Sequence, residues 1–391
     1  MTDYDPLARR DTPLALKLKQ RIRRNGPIRM PHYMAACLFD SEHGYYTRQP
    51  AIGARGDFIT APEISQVFGE LIGLWCAVVW QQMGSPVRVN LVELGPGRGT
   101  MMRDAIRAAA KVPGFVEAVR VVLIERSPTL RAIQSEMTQG LQVTLVHASG
   151  PDAPELDRSV ATIVVANEVI DCLPITQLEW VSDDRGRHAW HARTVALDDA
   201  GQLVFALAPA VGLRAGAADL LPVPRPGDIL EDRNARGLVE MIAGPSGARP
   251  VAALLVDYGH LESGYGDTLQ AVRNHAFEHP LTSPGEADLT AQVDFAAFAA
   301  LVAEHSASPG VAPLVVDGPV TQAEFLGALG IMERTSRLMA ANPARAGEIE
   351  VGVARLMAVP GMGSRFKAIG IRSPDLPPLP GFPVDRREGG A

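Results

Sequence analysis

The chain reads as an α/β protein, a mainly parallel sheet with helices on both faces, on three observations. Short β-branched and apolar runs of strand length alternate with segments of helical spacing through the centre of the chain, the pattern of a doubly wound sheet. The first such run, Val89-Asn90-Leu91-Val92-Glu93-Leu94, passes directly into Gly95-Pro96-Gly97-Arg98-Gly99-Thr100 and a helix-prone stretch. The fourth ends in Ala166-Asn167-Glu168-Val169-Ile170-Asp171, so polar groups collect where strands stop.

Taken in order, residues 12–40 read as helical, with Leu14, Leu18 and Ile22 at helical spacing, and 41–63 as a loop rich in glycine and aromatics. Residues 64–82 form a helix apolar on nearly every face, hence buried, which suits internal packing or a dimer face equally. Strands are expected at 88–94, 120–125, 142–147, 161–166 and 251–257. Between the fourth and fifth, runs at 175–181, 188–197 and 202–208 are joined by Asp183-Asp184-Arg185-Gly186 and Asp198-Asp199-Ala200-Gly201 turns, an antiparallel meander inserted into the core. Helices near 292–306, 321–341 and 345–357 follow, and strands near 313–318 and 365–371 supply an antiparallel hairpin that completes seven strands. The expected division is 1–85, an N-terminal helical region with a covering loop; 86–372, the core, with a β insertion at about 175–210 and a helical insertion at about 290–360; and 373–391, a proline-rich, extended and mobile tail.

Composition limits the function. At 391 residues with 47% hydrophobic and 21% charged residues the chain is globular, and a net charge of -7 offers no general attraction to nucleic acid or an anionic membrane. The basic run Lys17, Lys19, Arg21, Arg23, Arg24, Arg29 reads as a solvated helix face. Cys37, Cys76 and Cys172 are isolated thiols, which argues for a reducing compartment and against a disulfide frame or zinc site. His188 and His191 read as strand or turn residues, so no metal site is expected. Residues 1–13 lack an apolar h-region and the most apolar stretch, 67–80, contains Glu70, so neither a secretory signal nor a membrane span is expected. A bacterial cytoplasm is the favoured location, with the mitochondrial matrix as the alternative.

The glycine loop points to a nucleotide-like cofactor, because glycines allow a sharp turn and a close approach to the main chain while the following helix presents free N–H groups. Glycines at 95, 97 and 99, with Thr100 at the third fingerprint position, miss G-x-G-x-x-G by one residue. Glu93, two residues before the first glycine, is ill suited to a pyrophosphate and well suited to an ammonium group. S-adenosylmethionine carries that ammonium, and a carboxylate for the helix N–H groups. Glu125, ending the second strand, is either a ribose ligand or a helix-capping acid.

At the fourth strand end, Asn167, Glu168 and Asp171 stand where a doubly wound sheet binds its ligand. Methyl transfer from a sulfonium needs the acceptor atom held in line and the changing charge stabilised. Carboxylates suit a cationic acceptor, and a guanidinium offers a planar fork of donors to Glu168 and Asp171. The plainer reading is that Asn167 caps a helix and the acids complement its dipole. Asp257-Tyr258-Gly259-His260 is a strand-end site or a simple turn.

Several segments together resemble the MidA family of S-adenosylmethionine-dependent methyltransferases. They are His43-Gly44-Tyr45-Tyr46, Gly56-Asp57-Phe58-Ile59-Thr60-Ala61-Pro62-Glu63-Ile64-Ser65-Gln66-Val67-Phe68-Gly69-Glu70, the glycine loop, Ala166-Asn167-Glu168, Asp257-Tyr258-Gly259-His260, Gly266-Asp267-Thr268-Leu269, Pro284-Gly285-Glu286-Ala287-Asp288-Leu289-Thr290 and Met362-Gly363-Ser364-Arg365-Phe366-Lys367. The resemblance spans about residues 30–370. It implies a class I (Rossmann-like) methyltransferase fold, S-adenosylmethionine as cofactor, and symmetric dimethylation of an arginine on a core subunit of respiratory complex I, in support of its assembly. It also implies that residues 56–70 fold over the cofactor, making Asp57, Thr60, Glu63 and Gln66 ligands. Where the family often has aromatics and alanine after the fourth strand, this chain has Val169, Ile170 and Cys172. A small-molecule methyltransferase and a non-catalytic, cofactor-binding assembly factor are the alternatives.

Overall fold

The computed structural model describes residues 4–48, 59–150, 155–182, 185–210, 221–244 and 249–383. Its central sheet holds seven principal strands: β1 Val89–Leu94, β2 Val119–Ile124, β3 Thr144–Ala148, β4 Ala161–Asn167, β5 Val251–His260, β6 Val315–Thr321 and β7 Phe366–Arg372. Their order is β3-β2-β1-β4-β5-β7-β6. All run parallel except β7, which is antiparallel to β5 and β6. A two-residue strand, Val293–Asp294, pairs with the end of β5. The α/β class, the seven strands and the closing hairpin are as the sequence predicts.

Alternate residues of the central strands feed two separate cores. Leu91, Val121, Ile163 and Leu254 face one layer of helices and Val92, Val122, Val164 and Leu255 the other. Burial on both faces is why these strands are unbroken apolar runs rather than alternating ones, and each such side chain contributes about 1.5–3 kcal/mol.

The helical segments are more divided than their spacing suggests. Residues 12–40 split into Pro13–Asn25 and Met30–Phe39, with Gly26 at φ +79 ending the first helix. Ile28 and Arg29 between them pair with Val195 and Thr194 of the inserted meander. The stretch 321–341 is likewise two helices, Gln322–Ala328 and Ile331–Ala341, broken at Gly330 with φ +81. The meander, Ile175–Ser182, His188–Leu197 and Leu203–Pro209, gains Ile229–Arg233 as a further antiparallel strand. A three-stranded sheet of Gln270–Arg273, Ala276–Glu278 and Asp288–Thr290 is not anticipated at all, because its strands are too short to show a period. Residues 373–383 correct the expectation of a mobile tail: Leu376, Leu379 and Phe382 are buried in the core, and the Trp75 indole donates to the Pro380 carbonyl at 3.0 Å.

Helix Gln66–Gln82 positions the loop after β1. Ser65 caps it, accepting from the Val67 N–H, and its apolar residues pack inward, as their distribution predicts. Its acid, Glu70, is 2% exposed. One carboxylate oxygen accepts from Arg107 at 2.9 Å and from Gln66 at 3.1 Å, and the other from Arg334 at 2.7 Å, so a single buried carboxylate joins three helices. Against it lies helix Thr100–Ala109, whose backbone approaches so closely that a Cβ on Gly73 would stand 2.1 Å from the Ala105 carbonyl oxygen. A Gly73→Ala substitution is expected to cost at least about 2 kcal/mol, since backbone must move to admit the methyl. Gly237→Ala, with nothing near the added Cβ, is the matched control. Urea denaturation should show a large midpoint loss for the first and little change for the second; equal midpoints contradict this packing.

Candidate functional site

The register of the sheet builds the site. β1 lies between β2 and β4, and Leu94 is paired with Ala166, so the glycine loop leaving β1 and the Asn167-Glu168 end of β4 emerge side by side. This is where strand order reverses, the usual place for a ligand in a doubly wound sheet. A cleft there is lined by Thr60, Pro62, Glu63, Glu93, Gly95, Pro96, Gly97, Arg98, Thr100, Met101, Asn167 and Glu168.

Gly95, Gly97 and Gly99 have φ of +58, +52 and +83, conformations that side chains rarely adopt. Gly99 is the residue before helix Thr100–Ala109, so the loop delivers the free N–H groups of that helix to the cleft. Glu93, 2% exposed, points into the same space, and its Oε2 is buried with no hydrogen-bond partner. Burial alone pushes its carboxyl from 4.5 up to about 8. An orphaned carboxylate oxygen at the head of a glycine loop is the complement of an ammonium group and repels a phosphate.

The other expected cofactor residues divide by position. Thr60 and Glu63 line the cleft from the short turn Ala61–Ile64, and Glu63 accepts from the Thr100 hydroxyl and, at 3.4 Å, from Arg98. Gln66 does not line it; its amide is turned to Glu70. Asp57 lies outside the described residues. Glu125 is not in the cleft lining. Its Oε1 accepts the Ser127 N–H at 2.8 Å and its Oε2 the Gln134 amide at 3.3 Å, while the same amide donates to the Gly97 carbonyl at 2.7 Å. Gln134, wholly buried, therefore links Glu125 to the glycine loop, a role invisible in a helix of ordinary composition.

At the end of β4 no helix follows Asn167, so the capping reading is replaced by another arrangement. The Asn167 amide donates to Glu168 at 3.0 Å, and its Oδ1 is buried without a partner. Glu168 has φ +55, a left-handed conformation for a side-chain-bearing residue. Its carboxyl is raised to about 8 by burial first and by the charge of Asp257 second, against the pull of the Asn167 amide and the Ala61 N–H. Asp171 is buried, off the cleft lining, and is raised well above the usual range by burial, Asp257, Asp288 and Glu168. The sequence pattern fits Asp257 to a strand-end site or a simple turn and gives Asp288 no role. The first is the acid that ends the buried part of β5, a signal of the same kind as Glu93 and Glu168; the second arrives from the unanticipated three-stranded sheet, where Tyr46 donates to it at 3.0 Å.

Fold and loop together define a nucleoside-cofactor methyltransferase of the doubly wound class, with a cation-seeking acid in place of a diphosphate site. The comparisons agree. The family model described as "Putative S-adenosyl-L-methionine-dependent methyltransferase" matches residues 71–311. A protein arginine methyltransferase NDUFAF7, mitochondrial, of Xenopus tropicalis is 32% identical, covering 93% of this chain and 87% of its own. The Drosophila melanogaster homolog is 34% identical, covering 90% and 83%. A crystal structure of a COG1565 superfamily member from Burkholderia thailandensis, bound to S-adenosyl-homocysteine, superposes with a TM-score of 0.81 at 26% identity, covering 94% of each chain. The chain belongs to this family of S-adenosyl-L-methionine-dependent methyltransferases, and S-adenosylmethionine is the cofactor that the cleft fits. Among the described residues no helix is long and apolar enough to cross a membrane.

Because the folded Glu93 carboxyl ionises near 8 rather than 4.5, its contribution to stability is retained below about pH 4.5 and lost as pH rises through 8. The full loss is roughly 4 to 5 kcal/mol at 1.4 kcal/mol per pH unit. Glu93→Gln, which stays neutral, should therefore gain on the parent, in the absence of cofactor, between pH 5 and pH 9 by an amount of that order. Chemical denaturation of both proteins across this range measures it, and a constant difference contradicts the assignment.

Proposed function

We propose that this methyltransferase acts on the guanidinium of an arginine in a protein acceptor. The observation that carries the reading is Glu168, a half-buried carboxyl on the cofactor cleft whose ionisation desolvation and the charge of Asp257 push up to about 8. A cation entering beside it replaces the missing counter-charge and favours the ionised form.

Bound S-adenosylmethionine supplies an electrophilic methyl group on a sulfonium; the chain must place a nucleophilic nitrogen and dispose of a proton. Glu93 and the N–H groups after Gly99 hold opposite ends of an amino-acid moiety. Glu168 and the unpartnered Asn167 Oδ1 then face the acceptor, a carboxylate and an amide oxygen able to accept from adjacent guanidinium N–H groups. A guanidinium nitrogen that gains a methyl group must give up a proton, and a carboxyl that ionises near neutrality is suited to receive it.

The arginine reading is supported by the names of the relatives, protein arginine methyltransferases at 31–34% identity. The resemblance over residues 30–370 extends it to symmetric dimethylation of a complex I core subunit, and we infer that this is the acceptor. The composition favours action in a bacterial cytoplasm; the mitochondrial names of the relatives support the matrix as the alternative.

Incubation with methyl-labelled S-adenosylmethionine and folded complex I core subunits should label arginine. Glu168→Gln should lower transfer at least about 100-fold, the scale of a lost general base, while S-adenosylhomocysteine affinity stays within about threefold. Label on another residue type, or full transfer by the variant, contradicts the proposal.

A further inference from the structure

We propose that Asp257 is the positioning residue of the acceptor end of the site: from within the chain it supplies the anion around which the 168–171 turn is wound, and so sets where Glu168 and Asp171 stand. The inference rests on the reading of Glu168 as the acceptor-facing acid.

Asp257 has no exposure and ends the buried part of β5. Its Oδ2 accepts three consecutive backbone N–H groups, from Val169 at 3.1 Å, Ile170 at 2.8 Å and Asp171 at 3.1 Å. Its Oδ1 accepts the Tyr258 N–H at 2.9 Å. Three successive N–H groups converging on one point form an anion-binding nest. In a nucleotide site such a nest is open to a ligand phosphate; here the protein fills it with its own carboxylate, so these three N–H groups are closed to an outside anion. The nest also explains the left-handed Glu168. Its N–H is taken by the Val256 carbonyl at 2.9 Å, and the next three are taken by Asp257, so the backbone between them has no freedom to relax.

The charge has a second effect. Glu168 is faced by Asp257 and Asp288, by the Asn167 amide and by the Ala61 N–H. Asp171 is faced by Asp257, Asp288, Glu168 and Arg233. Asp257 itself meets Arg233 and the N–H donors, and burial raises it only to about 6. Asp257, the acceptor of four backbone N–H groups, is thus the more readily ionised of the pair it makes with Glu168. Asp257 therefore shapes the turn and disfavours the ionised form of its neighbour.

The test uses the full chain as Asp257→Ala and Asp257→Asn, with S-adenosylhomocysteine as the probe of the cofactor end. Alanine removes the acceptor of three N–H groups: hydrogen exchange of segment 167–173 should rise at least tenfold, with S-adenosylhomocysteine affinity within about threefold of the parent. Asparagine keeps one oxygen for the nest but no charge. Protection of the segment should then persist, while the Glu168 ionisation midpoint, read by carboxyl-carbon NMR against Glu168→Gln, moves down by a unit or more. With an arginine peptide as acceptor, the pH profile of KM should move down with it. Unchanged exchange in the alanine variant, or an unmoved Glu168 midpoint in the asparagine variant, overturns the proposal. Should the alanine variant fail to fold, the asparagine variant decides. Exchange and midpoint need no acceptor, so if both behave as expected and arginine peptide is not methylated by the parent, the acceptor reading fails and the positioning role stands.

Discussion

A carboxylate buried beneath a glycine loop with one oxygen unpartnered is costly to the protein alone, and the arrangement around Glu93 makes sense only when a cation is brought to it. The fold supplies what the pairing needs. Parallel strands β1 and β4 end side by side, positive-φ glycines open the main chain, and the glycine-lined contact of helix Gln66–Gln82 with helix Thr100–Ala109 fixes the loop from behind. Glu63, reaching over to Thr100 and Arg98, closes the cleft from the N-terminal region. A site for an amino-acid-bearing sulfonium is therefore built from the same strand–loop–helix unit that elsewhere holds a diphosphate, with one acid changing the ligand it selects.

The second half of the site follows the same logic with the roles exchanged. Asp257 is an anion whose partners are internal, satisfied by backbone N–H groups, whereas in the proposed reading Glu168 and Glu93 are acids whose counter-charges come from the bound ligands. Three carboxyls near the C-terminal ends of β1, β4 and β5 differ in burial and donors, and their ionisation separates accordingly, at about 8 for Glu93 and Glu168 and about 6 for Asp257. Separation of this kind lets one acid hold structure while its neighbours meet ligands.

Much of this was legible in the residues. The strands were readable because burial on both faces makes them continuous apolar runs, and Glu93, the glycines and Glu168 because strand-end acids and left-handed loops have few other uses. What escaped depended on contacts rather than pattern. Asp257 acts on backbone N–H groups of a segment 86 to 88 residues away, and Asp288 comes from strands too short to carry a period. Gln134 is a glutamine within an ordinary helix until its amide is seen between Glu125 and Gly97. Gln66 was expected at the cofactor because of its neighbours in sequence, yet one helical turn aims it at Glu70. The tail after Ser373 looked unstructured by its prolines, but Leu376, Leu379 and Phe382 cover the core.

The pairing at Glu93 is tested most directly by the protons exchanged when the cofactor product binds. Titration calorimetry of S-adenosylhomocysteine at pH 7, in buffers of differing ionisation enthalpy, should report release of about one proton, because a carboxyl near 8 in the free protein ionises against the incoming ammonium. Glu93→Gln should bind at least about tenfold more weakly and release correspondingly less, the scale of one charge-assisted hydrogen bond. Binding without proton release in the parent, at an affinity the variant shares, would contradict the account.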